Sequence, residues 1–372
     1  MDCIFGVGLN RVLDDFYIKV IDYINDKWES IISIDVPSGL NCNSGEKMGA
    51  SIVASKTYTF EVIKRGFIEY KALYYLGEIE VLKIGIPKYV KKINSEKTYL
   101  LNKAEYGKLL RKRSKYGHKG MYGKVAILAG SRGYTGAAYI ATEACVMAGA
   151  GLTTLVTTEY VQDKLSSKLV EAMTANIEDN GGLKELFNNV NVIAIGPGID
   201  NENRYKNLLL ELINYDNKKF VIDAGAFKLV KNNKEIMNGI KERAIFTPHP
   251  GEMAKLIDKS VEYVEENRVN IAKKFAKENK IVVLLKGYNT IITDGEYVYI
   301  NSSGNSKMAS GGMGDCLTGV ISALLAQGYS TMESALIGAY VHGVAGEMAS
   351  EDKYSTTASQ VIENISKAMN YI

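Results

Sequence analysis

Short apolar runs alternate with glycine-containing loops and longer amphipathic stretches along most of this chain. After residue 120, each of the runs KVAILAG, VNVIAIG and IVVLLKG is short, apolar and bounded by a loop, which is typical of a buried strand. Further runs of this kind are GLTTLVT, KKFVIDAG, RAIFT, NTIITDG and YVYIN, and the chain from GDCLTGV onward is predicted to be largely helical. The alternation predicts an α/β fold with a parallel sheet, whose ligand-binding loops follow the carboxyl ends of the strands.

The first ninety residues show the same pattern on a smaller scale. The runs CIFGVG, SIISIDVPSG, KTYTFEV and EIEVLKIGIP predict four strands, and DDFYIKVIDYIND predicts a helix between the first two. Because the first of these strands begins directly after Met1, we expect this sheet to be incomplete at its leading edge.

The composition excludes several classes of protein. Of the 372 residues, 46% are hydrophobic and 23% are charged, which is the ordinary globular range and excludes disordered, collagen-like and disulfide-rich chains. No apolar run reaches the roughly 18–20 residues of a membrane span. The amino terminus also lacks the basic start of a secretory signal. The four cysteines lie far apart without metal-ligand spacing, so we expect free thiols, no zinc site, a cytoplasmic location and no membrane partner.

Charge divides the chain into two parts. Residues 88–119 carry eleven Lys or Arg against two Glu, a balance of +9 within a chain whose net charge is +3. A nucleic-acid-binding arm is one interpretation, but no DNA- or RNA-binding motif accompanies the run. We therefore favour a solvated connector with a basic rim and expect no nucleic-acid partner. The predicted domains are residues 1–92 and residues 93–372.

The segment SGGMGDCLTGVISALLAQG at 310–328 carries the strongest chemical signal. Successive glycines before a helical pattern present free backbone N–H groups at a helix amino terminus, which suits a phosphoryl group. Asp315 lies beside them, where its carboxylate could take a proton from an attacking hydroxyl. The alternative is that Asp315 only caps the helix behind a glycine-rich turn.

Other strand ends carry less distinctive loops. LKGYNTIITDG at 285–295 would bring Lys286 and the Gly287 backbone to a nucleotide, although many buried strands end in a lysine and a tight turn. TPHPGEM at 247–253 holds His249 between two prolines, which makes the loop rigid. GPGI at 196–199 permits close backbone approach. Neither a G-x-x-x-x-G-K-[ST] phosphate loop nor the full dinucleotide-binding fingerprint is present.

Taken together, six ordered motifs carry a resemblance to a known family. HKGMYGKVAILAGSRGYTGAA, GPGI, DAGAF, TPHPGE, LKG-x-x-T and SGGMGDCLTG resemble the ADP/ATP-dependent NAD(P)H-hydrate dehydratases, over about residues 115–370. DCIFGVGLNR, IDVPSGLN and KTYTF resemble the later half of the NAD(P)H-hydrate epimerase domain of bifunctional repair enzymes. The resemblance implies a ribokinase-like three-layer α/β/α domain, preceded by a partial Rossmann-like α/β segment without the earlier epimerase loop.

The resemblance implies an activity and a set of site residues. The S epimer of hydrated NADH or NADPH would be phosphorylated on its C6 hydroxyl by ADP or ATP, with Mg²⁺ carried on the phosphates, and phosphate would then be eliminated. Asp315 matches the catalytic, substrate-contacting carboxylate and Gly314 the phosphoryl site. The remaining matches are Lys286, Gly287, Tyr288, Asn289 and Thr290 for the nucleotide, and Ala137, Gly198 and His249 for the substrate.

The epimerase-like segment has its own implied residues. Asp35 matches a substrate-contacting aspartate, Asp2 and Ser38 match K⁺ ligands, and Gly6–Arg11 matches a dinucleotide loop. Since half of that site has no counterpart in the sequence, we expect no epimerase activity. A parallel sheet with an unpaired edge favours pairing with another chain, so we expect a homo-oligomer.

Two other functions stay open at this stage. A small-molecule kinase of the same fold would share the loop around Asp315 but would leave a stable phosphorylated product. A non-catalytic nucleotide-binding protein would bind ADP or ATP without turnover.

Overall fold

The computed structural model of this protein describes residues 1–87, 89–90, 97–200 and 202–372. The chain forms two compact units, Met1–Glu96 and Lys97–Ile372. The domain boundary predicted at residue 92 falls within 91–96, outside the described residues.

The Met1–Glu96 unit is a small parallel sheet with one long helix. Its elements are α1 (Asp15–Lys27), β1 (Ile32–Ile34), β2 (Lys56–Phe60), α2 (Leu73–Leu76) and β3 (Glu78–Leu82). The strands lie in the order β1-β2-β3, and all pairs are parallel. Asp14 caps α1 by accepting a hydrogen bond from the Tyr17 N–H, as the sequence DDFYIKV leads one to expect.

The strand predicted over CIFGVG is wrong. Only Asp2 pairs with the sheet, through an isolated parallel bridge to Ser33. Beyond it the backbone donates to side chains instead of to a strand, because the Ile4 N–H bonds the Asp2 carboxylate at 3.4 Å and the Phe5 N–H bonds the Ser38 hydroxyl at 2.8 Å. Side-chain acceptors near the backbone compete with a strand ladder in this way.

The Lys97–Ile372 unit contains one sheet of ten described strands. They are β4 (Thr98–Leu100), β5 (Lys124–Leu128), β6 (Leu152–Thr157), β7 (Met173–Asn176), β8 (Val192–Ile195), β9 (Lys219–Ile222), β10 (Ala244–Phe246), β11 (Val282–Leu285), β12 (Thr290–Thr293) and β13 (Val298–Asn301). Their order is β4-β13-β12-β11-β10-β9-β8-β5-β6-β7. Only β12 runs antiparallel to its neighbours, so the carboxyl ends of β5, β8, β9, β10 and β11 meet along one edge.

Helices connect these strands. They are α3 (Lys103–Leu109), α4 (Thr135–Met147), α5 (Glu159–Leu165), α6 (Asn180–Asn189), α7 (Glu202–Leu212), α8 (Ala226–Val230), α9 (Lys234–Gly239), α10 (Pro250–Ile257), α11 (Val261–Glu266), α12 (Arg268–Asn279), α13 (Met313–Ala326), α14 (Thr331–Ala349) and α15 (Ala358–Tyr371). Every residue of β8, β10 and β11 is buried, so helices cover both faces of the sheet there. Side chains of α4, α13, α14 and α15 share one hydrophobic core with the strands.

The sequence did not predict the two edge strands of this sheet. β4 and β7 are three and four residues long and lie at opposite ends of the sheet. Their sequences, TYL and MTAN, are too short and too polar to stand out as apolar runs, because an edge strand buries less of its surface. In the part of the chain described here, the helices are all too short or too polar to span a bilayer.

Candidate active site

A buried ion pair forms the centre of the site in the Lys97–Ile372 unit. Asp223 follows β9 directly and is only 1% exposed. Its carboxylate accepts hydrogen bonds from the Lys286 ammonium at 2.9 Å and from the Thr318 hydroxyl at 2.8 Å. Lys286 follows β11, and its N–H donates to the Pro248 carbonyl at 2.9 Å. These contacts join the carboxyl ends of the adjacent strands β9, β10 and β11 to the first turns of α13.

The amino terminus of α13 lies against this pair. Gly312 at the N-cap has no side chain that could accept from the first N–H groups of the helix, which leaves them for an anion. A Cβ atom on Gly314 would lie 3.0 Å from the Lys286 ammonium nitrogen, so the cation is directly beside the helix start. A helix terminus and an ammonium group together attract a phosphoryl group.

Asp315 stands in the first turn of α13 and is half-buried. Burial and the negative charge of Asp223 raise the pKa of Asp315 to about 6, although the positive charge of Lys286 opposes this shift. Its carboxylate accepts no hydrogen bond from the residues that the structure describes, and Gly312 occupies the N-cap position. The interpretation of Asp315 as a helix cap is therefore wrong, and its carboxylate is poised to take up a proton.

The start of α10 supplies a third carboxylate. His249 is the N-cap, where its Nδ1 accepts from the Gly251 N–H at 3.0 Å, and Glu252 closes the capping box by accepting from the His249 N–H at 2.8 Å. Glu252 lies 3.8 Å from the Lys286 ammonium nitrogen. Burial raises the pKa of Glu252, and the attraction of Lys286 only partly offsets this. Burial alone would lower the pKa of Lys286, but the charges of Asp223 and Glu252 raise it, so the ammonium stays charged.

The predicted substrate residues Gly198 and Ala137 lie next to each other. A Cβ atom on Gly198 would come within 2.8 Å of the Tyr134 Cβ and 3.1 Å of the Ala137 Cβ, so this close approach requires glycine. Gly196 in the same loop also leaves no room for a side chain, since a Cβ atom there would lie 1.7 Å from the Asp223 carbonyl oxygen. The GPGI loop thus packs between the first turn of α4 and the buried ion pair.

Of the predicted nucleotide residues, 286–289 form the tight connection between β11 and β12, and Thr290 is the first residue of β12. Thr290 donates through its hydroxyl to the Gly287 carbonyl at 2.9 Å. The side chain of Tyr288 is 61% exposed, and Asn289 has a φ of 51°. The loop is therefore an ordered turn with one exposed aromatic ring beside the Lys286 backbone.

Four residues that sequence reasoning missed complete this geometry. Asp223 and Glu252 lay within the quoted motifs DAGAF and TPHPGE. Asp223 directly follows a buried strand, which was a usable signal, and Glu252 stands three positions after His249, where it completes a capping box. Thr318, inside α13, and Arg268, at the start of α12, had no such signal because their neighbours come from distant parts of the chain.

The Met1–Glu96 unit brings together its own predicted residues in a different way. Asp2 is 4% exposed, and its carboxylate accepts from the Ser33 hydroxyl, the Ser38 N–H and the Ser38 hydroxyl at 2.8, 2.9 and 2.6 Å. Asp35 has a φ of 67° and forms an ion pair with Lys64 at 2.8 Å. The Asp2 and Ser38 oxygens thus bond to each other, and their role as K⁺ ligands stays a prediction.

Within 1–87, 89–90, 97–200 and 202–372, no group of three or more His, Cys, Asp and Glu side chains could hold a metal ion. An ion such as Mg²⁺ often keeps several waters and binds through one or two carboxylates and the substrate phosphates, so this donor set fits an ion that a nucleotide brings with it.

Solved structures first define the class of protein. The chain is similar to a ribokinase-like superfamily protein from Enterococcus faecalis, with 26% identity, a TM-score of 0.67 and coverage of 74% of this chain and 96% of that one. It is also similar to the ADP/ATP-dependent NAD(P)H-hydrate dehydratase from Bacillus subtilis co-crystallised with ATP and Mg²⁺, with 26% identity, a TM-score of 0.63 and coverage of 73% and 97%. The predicted ribokinase-like α/β fold is confirmed.

Sequence comparisons then define the family. The NAD(P)H-hydrate dehydratase family model matches residues 125–367, and the model for the YjeF-related protein N-terminus matches residues 1–66. The bifunctional NAD(P)H-hydrate repair enzyme Nnr of Moorella thermoacetica is 36% identical over 95% of this chain and 69% of its own length. The corresponding enzyme of Dictyoglomus turgidum is 34% identical over 100% and 75%. This chain belongs to the NAD(P)H-hydrate repair enzyme family and contains its dehydratase domain, which confirms the predicted resemblance.

Proposed function

We propose that the Lys97–Ile372 unit dehydrates the S epimer of hydrated NADH or NADPH and consumes ADP or ATP in doing so. The observation that carries the proposal is the position of Asp315, which is poised for proton transfer beside the Lys286 ammonium and an open helix terminus. Membership of the dehydratase family supports the substrate, which geometry alone does not specify.

The proposed reaction has two steps. In the first, the C6 hydroxyl oxygen attacks the terminal phosphoryl group of the nucleotide, its proton passes to Asp315, and AMP or ADP leaves. In the second, the C6–O bond breaks and phosphate departs, the adjacent ring carbon gives up a proton to that phosphate, and the electrons of its C–H bond form the ring double bond. Phosphate is a much better leaving group than hydroxide, so the first step lowers the barrier to the second.

The residues of the chain have separate parts in this scheme. The N–H groups at the start of α13, with Gly314, and the Lys286 ammonium would hold the transferring phosphoryl group. Asp223 and Thr318 keep Lys286 in place through their hydrogen bonds. Mg²⁺ carried by the nucleotide would neutralise phosphate charge.

Ligand contacts are assigned to two groups of residues. Ala137, Gly198 and His249 would contact the hydrated dinucleotide, and their position around the GPGI loop and the α10 start supports this. The nucleotide would lie along the β11–β12 connection, with the contacting residues Lys286, Gly287, Tyr288, Asn289 and Thr290.

In the Met1–Glu96 unit, Asp35 remains the proposed dinucleotide contact and Asp2 and Ser38 the proposed K⁺ ligands. We expect no epimerase activity, because the Asp2 carboxylate is bonded by serine donors and the Asp35 carboxylate by Lys64. The test mixes the protein with the R epimer and ADP; NADH formed faster than by spontaneous epimerisation would contradict this expectation. A homo-oligomer, a cytoplasmic location and the absence of a nucleic-acid partner also stay predictions.

One assay tests the main proposal against its alternatives. The purified protein is incubated with the S epimer of hydrated NADH and with ADP or ATP, while NADH absorbance and released phosphate are followed together. Equal amounts of NADH and phosphate support the dehydratase. A phosphorylated dinucleotide that persists would indicate a kinase, and nucleotide binding without any product would indicate a non-catalytic binder.

A further inference from the structure

Arg268 is a buried cation beneath the β11–β12 connection. It is the first residue of α12 and is only 4% exposed. One guanidinium nitrogen, Nη1, donates to the Tyr288 carbonyl at 2.7 Å, and the other, Nη2, donates to the Lys286 carbonyl at 3.3 Å. Two carbonyl groups on either side of Gly287 therefore point at one planar group.

A buried arginine at this position carries an energetic cost, which its partners must offset. The amino terminus of a helix carries partial positive charge, which disfavours a cation there. Burial removes water from the guanidinium and adds a further cost. Hydrogen bonds to a charged donor are among the stronger ones in proteins, so the two loop carbonyls help to hold the cation there. The Glu265 carboxylate, whose Oε2 lies 3.9 Å from Arg268 Nε, contributes a further attraction.

The two bonds also determine which way the loop peptides face. Because a trans peptide is planar, its C=O and N–H groups point in opposite directions. The Lys286 carbonyl points at Arg268, so the Gly287 N–H points away from it. Gly287 has a φ of 139°, and a Cβ atom there would lie 2.8 Å from Arg268 Nη2, so only glycine lets the guanidinium pack this closely.

We propose that Arg268 is a positioning residue of the nucleotide site: it turns the Gly287 N–H away from the protein interior and towards the phosphates of the bound nucleotide. This inference rests on the proposed function, which places the nucleotide along residues 286–290. A lysine cannot reproduce the effect, because its ammonium group lacks the planar fork that reaches both carbonyls.

Arg268→Lys and Arg268→Gln test this inference, with Arg243→Lys as the matched control. Arg243 also donates to backbone carbonyls, among them Ile213 at 2.5 Å, but it directly precedes β10 and so lies at the amino end of that strand, whereas residues 286–290 follow the carboxyl end of β11. For the Arg268 variants, we expect the dissociation constants of ADP and ATP, measured by calorimetry, to rise about 10- to 100-fold, the effect of losing a charged hydrogen bond. The KM for the hydrated dinucleotide should change less than twofold, and Arg243→Lys should change neither constant. Equal effects on both ligands, or none on the nucleotide, would overturn the inference.

Chemical rescue separates positioning from folding. In Arg268→Ala, added guanidinium at millimolar concentration should restore part of the nucleotide affinity, whereas an equal concentration of sodium chloride should not. Thermal unfolding of each variant without ligand shows whether it folds, and a folded variant that guanidinium does not rescue would count against the inference. If the unaltered protein binds neither ADP nor ATP, the proposed function itself fails. If the unaltered protein and all variants bind the nucleotide with equal affinity, only the inference about Arg268 fails.

Discussion

Two carboxylates of this protein, Asp2 in the Met1–Glu96 unit and Asp315 in the Lys97–Ile372 unit, lie in contrasting environments. In Met1–Glu96, Asp2 accepts three short hydrogen bonds from serine groups, and Asp35 is paired with Lys64. In Lys97–Ile372, Asp315 is half-buried near two other carboxylates and accepts no hydrogen bond from the described residues, and its pKa rises to about 6.

The two environments differ in the hydrogen-bond donors around each carboxylate. The serine donors around Asp2 satisfy its carboxylate oxygens and tie the segments of Ser33 and Ser38 to the start of the chain. Burial near like charges without donors destabilises the charged form and brings the pKa close to neutral pH, where proton transfer is most effective. Asp315 has this environment.

The sharpest test of this comparison is Asp315→Asn. We expect turnover to fall about 10²- to 10⁴-fold, the usual cost of a lost general base, while the dissociation constant for ADP stays nearly unchanged. Steady-state rates and calorimetry measure the two effects. Asp163→Asn, an exposed change on α5, is the control. Wild-type turnover in Asp315→Asn would show that another group accepts the proton.

A second test compares the two ion pairs. Asp223 is 1% exposed and Lys286 19%, so Asp223→Asn leaves a buried ammonium without its main partner and should lower the free energy of unfolding by about 3–5 kcal/mol. The Asp35 side chain is 20% exposed, and that of its partner Lys64 is 14% exposed. Because the Asp35 carboxylate keeps more contact with water than that of Asp223, Asp35→Asn should cost less, about 1–2 kcal/mol. Urea unfolding of each variant measures both values. Equal losses would mean that burial does not distinguish the pairs.

The pH dependence of turnover provides a third test. Asp315 must be unprotonated to accept a proton, and its pKa of about 6 reflects burial, Asp223 and Glu252, opposed by Lys286. We expect kcat/KM to be level above this pKa and to fall about tenfold for each pH unit below it. Rates at saturating nucleotide, followed as released phosphate, give the profile. A rate that rises on acidification would assign the active form to the protonated carboxyl.

The smallest expected effect concerns His249, which both caps α10 and lies beside the proposed substrate site. His249→Asn retains a good helix cap, whereas His249→Ala removes it at a cost of about 1 kcal/mol in stability. Both variants should raise the KM for hydrated NADH about 2- to 10-fold, the effect of one hydrogen bond, and should change the KM for ADP less. A higher KM in the alanine variant alone would assign His249 to capping only.

Local sequence was sufficient for much of the fold and for part of the site. The apolar runs that became β5, β6 and β8 to β13 are short, buried and bounded by loops, so their strand character follows from composition over a few residues. Asp315 and Lys286 were found for the same reason, because each directly adjoins a glycine next to a strong helix or strand signal.

Other features depended on contacts that no local pattern contains. The segment CIFGVG reads as a strand, yet its backbone bonds Asp2 and Ser38 side chains, and the latter lies 33 residues away from Phe5. Lys286 lies 63 positions after Asp223 in the sequence, and Thr318 lies 95 positions after it. Asp223 and Lys286 meet because the carboxyl ends of parallel strands share one edge of the sheet, and Thr318 reaches them from α13. The sequence by itself determined the elements and the chemical groups that adjoin them. The tertiary structure alone decided that the Asp2 carboxylate is hydrogen-bonded by serine groups and that the pKa of Asp315 is raised. The reason is that donors, burial and neighbouring charges are brought together by the fold from distant positions.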